Sequence, residues 1–385
     1  MNNSRSVITG VSIVCSLGCH IDRIVENLLS ENPPFSNISF SSEFFKNRRV
    51  AMVDDGTING LIADKRSLRY MSRETRLAVS ACLLCIKDAD ICDAYEKERI
   101  ALFAGTGSSG IQLETIEKLL THSASSETGL FDPVSFGEIA LYKLNPLLSF
   151  QILPNMPAAM CAIMADIRGE NLVFNPWEGN ALSALYEAWF EIRSGRSEIV
   201  LCGGSDCKTH SNAFITFSEY GLLKDSGVVM SEGSAYLAIE NEQSAMNRNQ
   251  DIYCAIRHMY HQSRPGPVAT GGVCTEIFYS EMIRTTFTES NLAPQDIDLV
   301  ISSNDYTAQT DAMENQAISR VFSCPVISPK KILGNTYAAA GMINLAIAAQ
   351  IIKAGRQVSG RQIKRIFITS FAPGSEKFCI ILEQT

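Results

Sequence analysis

Twelve cysteines and five histidines, the latter at positions 20, 122, 210, 258 and 261, are the side chains of this 385-residue sequence best suited to nucleophilic, redox or metal chemistry. A metal centre needs thiolates or imidazoles clustered at ligand spacing. Cys82 and Cys85 form a CxxC pair, but the surrounding LAVSACLLCIKDA reads as a buried helix, and no second pair or histidine cluster completes a zinc site. Cys82, Cys202 and Cys379 lie in apolar runs, which predicts reduced core cysteines in a cytoplasmic protein rather than disulfides. Neither a metal nor a cofactor is expected.

Apolar β-type runs alternate with helical patterns along the whole chain, which predicts a layered α/β architecture. Strands are expected at Ser6–Val14, Arg99–Phe103, Asn171–Phe174, Glu198–Cys202, Ala235–Ile239, Tyr253–Met259, Leu299–Ser302, Arg365–Thr369 and Phe378–Leu382. Helices are expected at Arg73–Asp88, Gly110–Thr121, Pro157–Ile167, Glu178–Ser194, Thr275–Ser290, Asp311–Phe322 and Ala338–Ala354. The polar segment 241–251 reads as an internal connection between two halves rather than a flexible linker.

The chain is 46% apolar and 19% charged, material for one large core or two fused ones. A net charge of -8 argues against nucleic acid as a partner, while an acidic carrier protein would need only a local basic patch. The first eighteen residues carry one Arg before an apolar run; Gly10 interrupts it, and a first strand explains it better than a signal peptide. No run of about 18 apolar residues is present, so no membrane span is expected and the expected compartment is the cytoplasm.

Six stretches, in order along the chain, resemble the β-ketoacyl synthases of the thiolase superfamily. VITGVSIVCSLG (7–18) is similar to their opening strand and turn, and NPLLSFQILPNMPAAMCAIMADIRGEN (145–171) to the lead-in to the nucleophile strand. EIRSGRSEIVLCGGSD (191–206) and GLLKDSGVVMSEGSAYLAIE (221–240) follow at family spacing. TDAMENQAI (310–318) resembles the acidic tail of the first catalytic-histidine loop, and SPKKILGNTYAAAG (328–341) the second histidine motif. The resemblance implies a thiolase-like duplicated α/β/α/β/α five-layer sandwich, with halves at 1–240 and 241–385 in one compact unit. Each half would carry a five-stranded mixed sheet, with two buried helices between them. It also implies dimers that pair through a strand near the nucleophile segment.

Condensing members of that family use a cysteine thiolate at a helix N-terminus, where the dipole favours the anion, together with two histidines. The resemblance places the cysteine position nine residues after Gly169 and seventeen before Gly195, which is Glu178 by both counts. It places the first histidine eight residues before Asp311, at Ser303, and the second at Asn335, with Lys330 retained at the motif lysine. In the C-terminal gatekeeper loop, Pro373 stands where the family keeps a mobile Phe. A carboxylate is a poor nucleophile toward a thioester, and neither serine nor asparagine is a general base near neutral pH. At its helix N-terminus Glu178 is open to two readings, a cap accepting free backbone N–H groups or a contact that fixes a dimer interface.

The expectation is therefore that the isolated chain is not an enzyme but a chain length factor of a type II polyketide system, possibly of the aryl polyene type. Its partners would be a homologous active ketosynthase and, through it, an acyl carrier protein. Residues Ser108, Ser109, Ile111, Gln112 and Thr115, with the segment 145–156, are expected to line the chain tunnel at the dimer interface. The alternative is a malonyl-carrier-protein decarboxylase or chain-initiation enzyme, which family members with Gln at the cysteine position perform while keeping both histidines.

Overall fold

The computed structural model of the chain describes residues 5–38, 48–107, 113–175, 178–223, 228–264, 275–304, 308–371 and 376–385. Its strands are β1 Ser6–Val14, β2 Ser36–Ile38, β3 Arg48–Ala51, β4 Ile100–Thr106, β5 Asn171–Phe174, β6 Ile199–Cys207, β7 Met230–Asn241 and β8 Cys254–Ser263. They continue as β9 Leu299–Ile301, β10 Val326–Ile327, β11 Gln357–Val358, β12 Arg361–Gln362, β13 Arg365–Ser370 and β14 Glu376–Glu383. The sequence SVITGVSIV of β1 is rich in β-branched residues, and all nine are buried. Burial on both faces is what a strand covered by helices on each side requires.

The strands β11 and β12 form a small hairpin; the other twelve belong to one mixed sheet whose main path runs β10-β9-β13-β14-β8-β1-β7-β6-β4-β5. That path is two copies of one pattern. From β1 outward the pairings with β7 and β6 are antiparallel, and those of β6 with β4 and β4 with β5 are parallel. From β8 outward through β14, β13, β9 and β10 the same order recurs, two antiparallel pairings and then two parallel ones. Within the sheet the copies are joined by the β1–β8 pairing, where Val7 faces Ala255 and Ile8 faces Cys254.

Helices fill the remaining layers. The Asn180–Ser194 and Ala340–Lys353 helices pack between the two strand groups in one apolar cluster that includes residues of β1, β6, β7, β8, β13 and β14. From Ala340 to Ile352 every residue of the second helix is buried, and all but Asn344 and Gln350 are apolar or glycine, as suits a helix between two sheets. The Arg73–Ala89 and Met156–Ala165 helices cover the outer face of the first strand group, and Glu276–Ser290 with Ala308–Val321 the outer face of the second. The layers are thus α/β/α/β/α. Segment 241–251, expected to be a connection, contains a short helix, Glu242–Asn247, whose N-cap Asn241 accepts from Gln243 N at 2.9 Å. Cys82 and Cys85 are fully buried in the Arg73–Ala89 helix. No helix among the described residues is long and apolar enough to cross a membrane.

Candidate functional site

The site is built where the ends of β4 and β6 meet the start of the Asn180–Ser194 helix. Glycine is required there by close approach: a Cβ on Gly105 would lie 2.2 Å from Ala181 N, and one on Gly204 would lie 2.6 Å from Ala181 Cβ and 2.9 Å from Ala338 O. The helix N-terminus is therefore held against both strands and against the 335–340 segment. On the approach to this elbow, Asn175 Nδ2 donates to Gly107 O at 2.8 Å and Thr106 O at 3.0 Å. Glu178 itself lies in a turn, and the helix begins two residues later than the apolar pattern suggested, at Asn180 with N-cap Gly179.

Glu178 is 3% exposed and forms an ion pair through Oε1 with Nζ of Lys330, which is 2% exposed. Its other oxygen, Oε2, has no hydrogen-bond partner, so the carboxylate does not accept from the helix N–H groups and the capping reading fails. Burial pushes the Glu178 carboxyl above its ordinary value; Lys330 and Lys377 pull the other way, and Asp206 adds to the rise. Lys330 opens the short helix Lys330–Leu333, which turns at Gly334 with φ 75°.

Ser303, two residues after the end of β9, is engaged in structure through its hydroxyl and its N–H. Its hydroxyl donates to Glu314 Oε2 at 2.8 Å, its N–H donates to Glu314 Oε1 at 2.9 Å, and its Oγ accepts from Phe371 N at 2.9 Å. Thr369 Oγ1 also donates to Glu314. Burial raises the Glu314 carboxyl, opposed by the Thr369 and Ser303 hydrogen bonds and by the charge of Lys330. Lys330 thus acts on both buried carboxylates, 178 and 314.

Asn335 is fully buried and bonds backbone to backbone with both neighbours of Met230, to Val229 O at 2.8 Å and from Ser231 N at 3.0 Å. Its Oδ1 accepts from Tyr337 N at 2.9 Å, and its Nδ2 has no partner. Of the tunnel residues expected from the sequence, Thr115 lies on the Leu113–Ser123 helix, partly buried. Ser108, Ser109, Ile111, Gln112 and the gatekeeper Pro373 lie outside the described residues.

Three features of the site were not singled out in the sequence. Lys208 Nζ pairs with Asp206 Oδ1 at 2.6 Å, both buried, while Asp206 Oδ2 accepts from Ala338 N at 3.1 Å. Lys377, next to the apolar run 378–382 of β14, is fully buried and acts electrostatically on Glu178. His261 pairs with Glu376 across β8 and β14, and a Cβ on Gly179 would meet Glu376 Cβ at 2.6 Å, so this pair adjoins the elbow. A cationic residue directly before a run as apolar as FCIIL is the signal by which the sequence could have disclosed Lys377. Among the described residues no group of three His, Cys, Asp or Glu could hold a metal ion.

With these groups the arrangement presents a buried carboxylate–ammonium pair of Glu178 and Lys330, with serine at 303 and asparagine at 335. It does not resemble a condensing triad, yet it is a polar, charged and organised centre rather than an apolar filling.

Two family models match the chain, "Beta-ketoacyl synthase, N-terminal domain" over residues 3–245 and "Beta-ketoacyl synthase, C-terminal domain" over residues 274–359. It is 24% identical over 380 residues to 3-oxoacyl-[acyl-carrier-protein] synthase 2 of Staphylococcus aureus (strain COL), covering 91% of this chain and 86% of that one. Among solved structures, the ishigamide ketosynthase/chain length factor matches with a TM-score of 0.81 at 21% identity over 100% of both chains. A type II PKS acyl-carrier protein in complex with its ketosynthase matches with a TM-score of 0.76 at 16% identity, over 99% of this chain and 100% of that one. At such identities the structures speak for the fold.

One expectation is corrected by these comparisons. The isolated chain was expected not to be an enzyme, but the curated relatives that align over 91% of it carry the name of an enzyme, 3-oxoacyl-[acyl-carrier-protein] synthase. The physical reason lies in the site: what stands at 178, 303 and 335 is a charged, buried constellation, and the residue types at those three positions do not by themselves establish inactivity.

Proposed function

Because the chain belongs to the β-ketoacyl synthase family, we propose that it acts as a chain length factor, pairing with a homologous ketosynthase and shaping the tunnel that receives the growing acyl chain. The observation that carries this reading is the Glu178–Lys330 ion pair at the nucleophile position. A carboxylate neutralised by a buried ammonium is held as structure and is a still weaker nucleophile than a free one, so the Cys-His-His condensation falls to the partner. The system is a type II polyketide or fatty-acid-like pathway in the cytoplasm. The Asn-, Ile- and Ser-rich sequence favours the aryl polyene type. The acyl carrier protein docks through the active partner, and halves 1–240 and 241–385 act as one unit.

Pairing is supported by the surface. Leu130, Phe131, Val134, Leu141, Tyr142 and Ile163 are 71, 64, 60, 49, 83 and 68% exposed, all between residues 130 and 163 of the chain. Apolar exposure on that scale, concentrated in one segment, is characteristic of a face that is covered in an assembly.

The test is co-expression of a tagged chain with a homologous ketosynthase that carries cysteine and both histidines. Joint purification, with products that shorten when Thr115 or Gln112 is made bulky, is the expected result. Failure to co-purify, or product length indifferent to those substitutions, would sink the reading. The decarboxylase or chain-initiation alternative draws on the enzyme names of the relatives, and CO2 release from malonyl-carrier protein by the isolated chain is its signature.

A further inference from the structure

A groove of about 760 Å3 lies on the outer face of the second strand group, where the Glu276–Ser290 helix meets the end of the Ala308–Val321 helix. That volume is in the range of small-molecule sites. One end of the groove is apolar. Phe287 and Val321 line it, together with Leu292 and Pro294 from the turn that follows the first helix. Phe287 packs on Phe322 and Phe367, with ring centroids 5.6 and 5.5 Å away, so this end is fixed to the apolar cluster of the second half.

The other end is charged. Arg320 Nη1 pairs with Glu276 Oε1 at 2.6 Å, and Ser280 Oγ donates to the same carboxylate at 2.9 Å. Glu281 and Arg284 also line the groove, and neither side chain has an ion-pair or hydrogen-bond partner among the described residues. Their order along the helix decides which of them serves a ligand. Arg284 is three residues before Phe287, on the same face and about 4.5 Å away along the axis, while Glu281 is three residues farther off. A molecule whose apolar body covers Phe287, Leu292 and Val321 therefore meets the free guanidinium first. A guanidinium takes a carboxylate through two parallel N–H···O bonds. One free cation balances one negative charge, and the nearby Glu276 and Glu281 carboxylates repel a dianion such as a phosphate monoester. An ammonium head on the same body is repelled by Arg284 before it reaches Glu281.

We propose that this groove binds an amphipathic monocarboxylate, an ionised alkyl or aryl carboxylic acid whose head pairs with Arg284 and whose body lies over Phe287, Leu292 and Val321. The groove is remote in the chain from Glu178, and its binding requires neither the elbow nor a partner subunit.

Calorimetric titration of the full chain with octanoate, octanol and octylamine tests the proposal. Octanoate is expected to bind at least about tenfold more tightly than either of the others. Arg284 is exposed, so Arg284→Ala should leave the circular dichroism and melting unchanged while removing the preference for octanoate over octanol. Arg284→Glu should reverse the order and favour octylamine. No measurable octanoate binding, or equal affinities for octanoate and octanol in the wild type, overturns the proposal. So does octanoate binding that Arg284→Glu leaves intact, because the ligand then sits elsewhere in the chain. Failure of the chain to pair with a ketosynthase would contradict the functional reading and leave these titrations unaffected, so the two ideas fail separately.

Discussion

At the scale of single residues, Glu178 and Lys330 depend on each other. Each is buried, and removing one partner of a buried pair leaves an uncompensated charge. Glu178→Ala is expected to lower the unfolding free energy by about 3–5 kcal/mol in urea denaturation. A Glu178→Ala, Lys330→Met double variant should recover much of that loss, and a double variant no better than the single one would contradict the pair's role. In the assembled complex the same Glu178→Ala change separates structure from chemistry: unaltered condensation by complexes that still form excludes a chemical role. The pair also sets a pH dependence. Burial holds the Glu178 and Glu314 carboxyls above their ordinary 4.5. A raised carboxyl keeps its proton in the folded chain where the unfolded chain has released it, so its stabilising contribution is full below about 4.5 and is lost as pH rises through the folded value. Wild type should accordingly lose stability relative to Glu178→Gln as pH rises from 4.5, and a difference that stays flat with pH would refute this.

At the scale of elements, the site depends on how closely the Asn180–Ser194 helix approaches β4 and β6. Gly105→Ala places a methyl 2.2 Å from Ala181 N, a backbone atom that cannot swing away as a side chain could. The expected cost is about 1–3 kcal/mol from overpacking, read as a lowered denaturation midpoint. An unchanged midpoint would show that the elbow is looser than its geometry implies. Most elements were legible from pattern: β1 and β5 lie at the expected residues, and the Arg73–Ala89 helix differs from expectation by one residue at its end. The strands β6 and β7 were misjudged in length. Each runs on through Gly, Ser and acidic residues, to Cys207 in β6 and from Met230 in β7, where composition offers no β signal. Their extension comes from mutual pairing of Gly203 with Tyr236 and Ser205 with Ser234. Such pairing is a tertiary contact that overrides local preference.

At the scale of the whole molecule, the repeated pairing order makes two similar halves meet along a short β1–β8 contact, with the Asn180–Ser194 and Ala340–Lys353 helices filling the space between. Residues 130–142 carry several of the exposed apolar side chains. Phe131→Asp with Tyr142→Asp should leave the circular dichroism and melting of the isolated chain nearly unchanged, since both side chains are 64 and 83% exposed. The same double change should abolish recovery of a tagged ketosynthase partner. A complex that forms as well as wild type would move the interface elsewhere on the surface.

The linear sequence by itself determined the family resemblance and singled out three positions, because those rest on short motifs: Glu178 between Gly169 and Gly195, Ser303 before Asp311, Asn335 after Lys330. What each of these residues touches was decided only by the tertiary structure. Glu178 and Lys330 are 152 residues apart in the chain and touch. Ser303 meets Glu314 and Phe371 N, and Asn335 is joined to the neighbours of Met230. No local pattern encodes such contacts, since an ion pair or a buried hydrogen bond depends on which segments the packed layers bring within about 3 Å. For the same reason a helix pattern that begins at Glu178 yields a helix that begins at Asn180: the carboxylate is held by a lysine from the far half of the chain rather than by the helix it precedes.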